Sequence, residues 1–152
     1  MTTIGAHHFC LVVRDLDRTI SFYQQLGLTL SKRFRNSGDD LGVAIFGTKW
    51  GVNQPQADLD QAVMLLHGVA VEFIQCLHPA TTAYHQDPSR AGSGHIAVQV
   101  DDIDAEVARL LAAGVEFHTP VNVHVDGDST VKWCYLRDPD GICVELVEGP
   151  SF

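Results

Sequence analysis

The sequence predicts an α+β fold made of two tandem βαβββ modules that form a curved mixed sheet, within a single domain spanning residues 1–152. The first observation is an internal repeat, because HHFCLVVRDLD at residues 7–17 returns as GHIAVQVDDID at residues 94–104. The second is that the repeat holds its register without a gap. From His8, residues Asp15, Asp17 and Gly27 follow at offsets of seven, nine and nineteen, and from His95 the same offsets reach Asp102, Asp104 and Gly114.

Each copy begins with a strand and a helix. The apolar runs at Phe9–Val13 and Ile96–Val100 predict the first strand of each module. Asp15 and Asp102 are suitable N-cap residues for the helix that follows. Apolar residues then recur at helical spacing until a glycine ends the helix.

Strand-like segments complete both modules, which we place at about residues 5–80 and 92–149. AVMLLHG and VAVEFIQC predict a hairpin in the first, and VDGDSTVKWCYL predicts a hairpin in the second, with RDPDG as the next turn and a strand at Ile142–Val147. Aligning VAVEFIQ with ICVELVE makes Glu72 equivalent to Glu145. The His-to-Glu separations are 72 − 8 = 64 and 145 − 95 = 50, so about fourteen extra residues lie in the first module, mostly between Arg35 and Gln61. That region, with a short apolar DLGVAIF segment that could form a helical turn or two, is predicted to be either a lid or a packed surface excursion.

Composition narrows the classes of partner. The chain carries 10 basic and 19 acidic side chains for a formal charge of −9, which argues against nucleic acid because phosphate binding needs clustered Lys and Arg. The N-terminus lacks a signal-peptide pattern, and no apolar run approaches membrane-spanning length, so we expect a cytoplasmic protein with no membrane partner. The four cysteines show no C-x-x-C spacing and are interpreted as reduced core or pocket residues.

Three motifs carry a resemblance to a known family. They are a histidine followed seven residues later by Asp-Leu-Asp or Asp-Ile-Asp in each module, FYQQLGL at the end of the first helix, and RDPDGICVELVE near the C-terminus. Together they resemble the vicinal oxygen chelate superfamily of glyoxalases, epimerases, extradiol dioxygenases and bleomycin-resistance proteins, over residues 5–148. The resemblance implies a homodimer and a cleft holding one divalent metal ion, with ligands from the first and last strands of each module.

The alternation of side chains along a strand points to four residues on these first and last strands. Side chains alternate along a strand, so His8 and Glu72 fall on the face opposite the helix-packed residues, as do His95 and Glu145. Burying two carboxylates together without a cation is costly. A lone histidine at a strand start is usually a hydrogen-bonded structural residue, but two histidines and two glutamates at repeat-equivalent positions predict a metal site. His7 is expected to point away from it.

The predicted ligands are therefore His8, Glu72, His95 and Glu145, a set that suits Zn, Ni, Co, Mn or Fe(II). Such a site favours proton abstraction next to a metal-bound carbonyl or hydroxyl. With the resemblance, this predicts a glyoxalase-like lyase or an isomerase/epimerase that acts on a small-molecule substrate. Glu145 or Glu72 is the candidate base, as in the resembling enzymes.

Two alternatives stay open. If Glu72 is not a ligand, the other three residues form the two-His, one-carboxylate triad of an Fe(II) extradiol-type ring-cleavage dioxygenase. A metal-free small-molecule binding protein of the drug-resistance type is the third interpretation, although such proteins generally lose the ligands that this chain keeps. Trp50, Trp133 and Tyr135 could line the cleft, with core packing the favoured role for most of them.

Overall fold

In the computed structural model, which describes residues 2–37, 58–78, 80–83 and 85–150, the sequence repeat becomes two βαβββ units. The chain divides into compact units at Met1–Ala83 and Tyr84–Phe152. The first contains β1 (Phe9–Val13), α1 (Leu16–Gln25), β2 (Thr29–Ser37), β3 (Asp58–Leu66) and β4 (Val69–His78). The second contains β5 (His95–Gln99), α2 (Ile103–Ala112), β6 (Asn122–Asp126), β7 (Ser129–Arg137) and β8 (Cys143–Glu148).

Each unit has one four-stranded mixed sheet, in the order β1-β4-β3-β2 in the first and β5-β8-β7-β6 in the second. The first and last strands of a unit are parallel neighbours, and the other pairs are antiparallel. The registers are equivalent, since Cys10 pairs with Glu72 and Ala97 pairs with Glu145. The predicted α+β class and the two βαβββ modules are thus confirmed.

Both helices begin and end as predicted. The side chain of Asp15 accepts a hydrogen bond from the backbone N–H of Arg18 at 3.0 Å, and Asp102 accepts one from Ala105 at 2.9 Å. Gly27 follows α1 with φ 86°, a left-handed conformation that costs glycine little. There the N–H of Leu28 donates to the carbonyl of Tyr23 at 3.0 Å, the 6→1 bond of a Schellman motif. The same closure follows α2 at Gly114.

A side chain from the last strand of each unit fixes the start of the helix. The Oε1 atom of Gln75 accepts a hydrogen bond from the N–H of Leu16 at 2.9 Å. Glu148 Oε2 accepts from the N–H of Ile103 at 2.8 Å. Residues 75 and 148 lie three positions after Glu72 and Glu145, so this link is part of the repeat.

The helix-facing side of each sheet holds the main core. In the first unit the ring of Tyr23 lies 4.6 Å from that of Phe73, centroid to centroid, and both side chains are fully buried. Val13 also packs inside, whereas Phe9 at the start of β1 is 65% exposed. The buried apolar residues of the second unit are Val98, Ile103, Leu110, Cys134, Leu136, Val144 and Leu146.

Several loop predictions can be compared directly. The hairpin predicted from AVMLLHG and VAVEFIQC is present, and it turns at His67 and Gly68 with φ 45° and 89°. In the RDPDG turn the side chain of Asp138 accepts from the N–H groups of Asp140 and Ile142, each at 2.8 Å. The DLGVAIF segment lies outside the described residues, and so does most of the region between Arg35 and Gln61 that was predicted to be either a lid or a packed surface excursion.

The cysteines are reduced, as predicted, and all four are free thiols. Cys76 and Cys134 are buried, and burial raises the pKa of the Cys134 thiol to about 11. In the described part of the chain, no helix has the length and apolar character needed to cross a membrane.

We predict that Asp102→Ala lowers the free energy of unfolding by about 1 kcal/mol, because it removes the N-cap acceptor of α2. Asp102→Asn should cost less, since an amide oxygen can also accept the bond. Urea denaturation followed by circular dichroism measures the change.

The matched control is Asp101→Ala, which deletes the same charge from the adjacent exposed residue and should change stability by less than about 0.5 kcal/mol. Equal losses for Asp101→Ala and Asp102→Ala would mean that net charge, not the cap, is responsible.

Candidate functional site

In the first unit, the parallel pairing of β1 and β4 brings His8 and Glu72 together. Glu72 pairs with Cys10, and His8 lies two residues before Cys10, so both side chains project from the same side of the sheet as diagonal neighbours. The Nε2 atom of His8 lies 3.3 Å from Glu72 Oε2. The structure therefore places these two residues in contact.

The second unit repeats the arrangement. Glu145 pairs with Ala97, and His95 lies two residues before Ala97 on β5. The Nε2 atom of His95 lies 2.9 Å from Glu145 Oε2. In both pairs the carboxylate is the more buried partner, at 16% exposed for Glu72 and 14% for Glu145, while the imidazoles are 38% and 47% exposed.

Each unit thus carries one imidazole–carboxylate pair of the predicted set. Within either unit, the described residues contain no group of three or more His, Cys, Asp or Glu side chains arranged to hold a metal ion. The convergence of all four predicted ligands on one ion remains a prediction.

The carboxylate of Glu72 has further partners that the sequence did not indicate. The side-chain amide of Gln61 on β3 donates to Glu72 Oε1 at 3.3 Å, and Asn36 on β2 donates to Gln61 Oε1 at 2.8 Å. The Cys10 thiol also hydrogen-bonds to Glu72. Burial, followed by the negative charge of Glu72, raises the pKa of this thiol to about 12, so Cys10 is a hydrogen-bond donor and a poor nucleophile.

Glu145 is supported by a different residue. Tyr135 on β7 pairs directly with Glu145 across the sheet, and its hydroxyl hydrogen-bonds to the carboxylate. Burial, followed by this hydrogen bond, raises the pKa of Tyr135. The Tyr135 ring also meets the His95 ring edge-on, with centroids 6.0 Å apart.

Two sequence interpretations are corrected here. Core packing was the favoured role for most of Trp50, Trp133 and Tyr135, yet the hydroxyl of Tyr135 contacts a predicted site residue. Counting back from the RDPDG turn, where Arg137 pairs with Cys143, would have placed Tyr135 opposite Glu145. Trp133 is half-buried on this same face, and Trp50 lies outside the described residues.

The second correction concerns His7, which was expected to point away. Its Nδ1 atom lies 2.7 Å from the Nδ1 atom of His8, and the two rings are 5.0 Å apart between centroids. β1 begins at Phe9, so His7 lies two residues before the strand and strand alternation does not fix the direction of its side chain. His7 is therefore placed to orient the imidazole of His8 through the ring nitrogen that faces away from Glu72.

The face that bears Glu72 also carries a small apolar cluster. Leu59, Ile74 and Cys76 are buried there, and Cys10 and Val12 pack against them. The sequence analysis placed the core only on the helix side of the sheet. The carboxylate of the first unit therefore lies beside apolar side chains, which strengthens its electrostatic interactions.

An anionic ligand would need Lys or Arg side chains near the site, and most of the candidate basic residues already form ion pairs with acidic side chains. Arg33, Arg35 and Arg90 each form an ion pair with an aspartate. Lys32 lies 4.6 Å above the ring of Phe34, on the same sheet face as Glu72. Arg137 donates to the carbonyl of Gly141 at 2.6 Å, on the face that bears Glu145.

Comparisons with known proteins agree with the fold and the motifs. A model of the Glyoxalase/Bleomycin resistance protein/Dioxygenase superfamily matches residues 5–146. A lactoylglutathione lyase of Haemophilus influenzae is 32% identical over 145 residues, covering 95% of this chain and 92% of that protein. A probable lactoylglutathione lyase of Vibrio cholerae is 30% identical over 143 residues, with 93% and 88% covered.

Solved structures show the same architecture. A glyoxalase family protein from Bacillus cereus superposes with a TM-score of 0.81 at 28% identity, covering 99% of this chain and 97% of that one. The fosfomycin resistance protein FosX from Listeria monocytogenes, at 20% identity and a TM-score of 0.65, shares the fold over 98% of this chain and 96% of its own.

We predict that Cys10 in the folded, metal-free protein reacts with iodoacetamide at pH 8 more slowly than in the unfolded chain, by about a hundredfold or more, because its raised pKa leaves little thiolate. Mass spectrometry of peptides after timed alkylation measures the rate. Glu72→Gln should speed the reaction, since it removes the neighbouring negative charge. A thiol that reacts at the unfolded rate in the native protein would contradict the hydrogen bond to Glu72.

Proposed function

Because the chain belongs to the glyoxalase/bleomycin resistance protein/dioxygenase superfamily, we propose that it is a divalent-metal-dependent lyase or isomerase that moves a proton within a small α-oxygenated carbonyl compound. One observation carries the proposal. Each unit holds an imidazole nitrogen within 3.3 Å of a glutamate oxygen at repeat-equivalent positions, on the sheet face away from the helix.

The residues fit a divalent ion by their chemistry. Two imidazole nitrogens and two carboxylate oxygens form a mixed donor set that Zn, Ni, Co, Mn and Fe(II) all accept. Both carboxylates are largely buried, and a cation would offset the cost of that burial. We propose that His8, Glu72, His95 and Glu145 together hold one such ion within a single domain.

When bound, the ion would act as a Lewis acid that polarises a substrate oxygen and so acidifies the adjacent C–H group. The chain must still supply a base, and Glu72 and Glu145 are the carboxylates placed for it. Each has one oxygen beside an imidazole and a second interaction that orients it, from Gln61 and Cys10 in the first unit and from Tyr135 in the second. These interactions hold the carboxylate in a fixed orientation, so that one of its oxygens is positioned to accept a proton from the substrate.

The relatives suggest where to begin with substrates. Proteins named lactoylglutathione lyase cover nearly the whole chain at 30–32% identity, so a glutathione-linked substrate is the first to test. Lys32 and Arg137 are the cations on the two carboxylate-bearing faces to which such an anionic substrate could bind.

Oxygen chemistry is the second candidate function, and the position of Glu72 argues against it. A two-His, one-carboxylate iron site would leave Glu72 unused, yet Glu72 contacts His8 much as Glu145 contacts His95. A metal-free drug-binding role has no need for either pair.

We also propose that the protein forms a homodimer in solution, which light scattering during gel filtration would test.

We predict that His8→Ala or Glu145→Ala abolishes binding of the metal ion but leaves the fold intact, because the main core lies on the other side of each sheet. Elemental analysis of protein purified without a tag or chelator measures the metal, and circular dichroism reports the fold. His124→Ala, an exposed histidine on β6, is the control that should keep full metal content. A His8→Ala or Glu145→Ala protein with the wild-type amount of metal would refute the ligand assignment.

We predict that Glu72→Gln and Glu145→Gln each lower kcat for proton transfer, and that the base shows the larger loss, of about 100-fold or more. The assay follows formation of lactoylglutathione from the glutathione adduct of methylglyoxal, and then a panel of related carbonyl compounds. An oxygen electrode is read in parallel with catechols as substrates. Oxygen consumption coupled to ring opening would replace the proposed reaction with the dioxygenase.

A further inference from the structure

Gln61 is a buried polar residue on the carboxylate-bearing face of the first sheet. It is 2% exposed, and its two amide atoms have one partner each. Its nitrogen donates to Glu72 Oε1 at 3.3 Å, and its oxygen accepts from Asn36 at 2.8 Å. Three side chains on three adjacent strands thus form a hydrogen-bond chain that ends on a predicted ligand.

The donor-to-acceptor direction of this hydrogen-bond chain follows from the carboxylate of Glu72, with which the chain ends. A carboxylate only accepts hydrogen bonds, so Gln61 must present its NH₂ group to Glu72. The amide oxygen of Gln61 then faces Asn36 and requires a donor there. The NH₂ group of Asn36 supplies it, whereas an aspartate of nearly the same shape could not.

The register explains why a glutamine is needed here. The direct cross-strand neighbour of Glu72 on β3 is Val63, which has no donor. At the equivalent position of the second unit stands Tyr135, whose hydroxyl bonds to Glu145 directly. In the first unit the donor therefore comes diagonally, from two residues earlier on β3.

We propose that Gln61, held by Asn36, is a positioning residue that fixes the carboxylate of Glu72 with its Oε2 atom directed at His8. This rests on the proposed function, in which Glu72 and His8 bind the same ion. Glutamate has three rotatable side-chain bonds, so a carboxylate without this tether must be ordered when the ion binds. Outer hydrogen-bond partners of metal ligands typically change metal affinity by about 10- to 100-fold.

Three variants of the full-length protein test the proposal. Gln61→Met keeps the size of the side chain and removes the donor. Asn36→Asp keeps the shape of the side chain but replaces the donor amide by a carboxylate that only accepts hydrogen bonds. To pair with it, Gln61 must turn its NH₂ group away from Glu72. Gln75→Met is the matched control, because the amide of Gln75 caps α1 on the opposite face and touches none of the predicted ligands.

The measurement is affinity for Zn²⁺, and separately Ni²⁺, by chelator competition, with thermal melting as a check of folding. We expect Gln61→Met and Asn36→Asp to bind each ion about 10- to 100-fold more weakly than wild type. Gln75→Met should lower the melting temperature and leave ion affinity unchanged. Asn36→Asp is the most informative variant, because an added negative charge alone would strengthen cation binding.

Wild-type affinity in Gln61→Met would overturn the proposal, and so would an equal loss of affinity in Gln75→Met. If the wild-type protein bound none of Zn²⁺, Ni²⁺, Co²⁺, Mn²⁺ and Fe(II), the proposed function would fail, and a metal-free measurement would decide the hydrogen-bond chain separately. In two-dimensional ¹H–¹⁵N spectra, Glu72→Gln and Asn36→Asp should each shift the side-chain amide signals of Gln61 but not those of Gln75. Unshifted Gln61 signals would show that the chain does not form.

Discussion

The parallel pairing of the first and last strands of each unit is the constraint on which the rest of the structure depends. Two parallel strands cannot be joined by a short hairpin, so the helix and the two intervening strands form the required crossover. The helix covers one side of the sheet and leaves the other side for polar groups. With Cys10 opposite Glu72 and Ala97 opposite Glu145, the histidine two residues earlier lies diagonally beside the glutamate in both units.

The helix side of each sheet keeps this pairing rigid. Gln75 and Glu148 hold the starts of α1 and α2, and the apolar core packs beneath the helices. In the second unit, Lys132 adds a link by contacting both Glu148 and Asp104 of α2 at 3.1 to 3.2 Å. His95 and the two glutamates therefore lie on strands whose opposite faces are fixed, and His8 immediately precedes such a strand, which favours a site formed before a ligand arrives.

The two units keep the same imidazole–carboxylate pair but support it differently. Glu145 accepts a hydrogen bond from the phenol hydroxyl of its direct neighbour Tyr135, whereas Glu72 accepts hydrogen bonds from the thiol of Cys10 and the amide of Gln61. These donors differ in strength and in rigidity, so two chemically identical carboxylates have unlike environments. Unlike environments allow equivalent residues of a duplicated fold to take different roles in proton transfer.

The sequence by itself determined the two modules, the N-caps at Asp15 and Asp102, and the sheet face that carries the site histidines and glutamates, because strand alternation, capping and the repeat act over short distances. Only the tertiary structure decided the partners of those pairs. Gln61 and Asn36 reach Glu72 across β2, β3 and β4, and their register depends on an irregularity between Leu30 and Lys32. His7 contacts His8 from a position two residues before β1, where strand alternation does not fix the direction of a side chain.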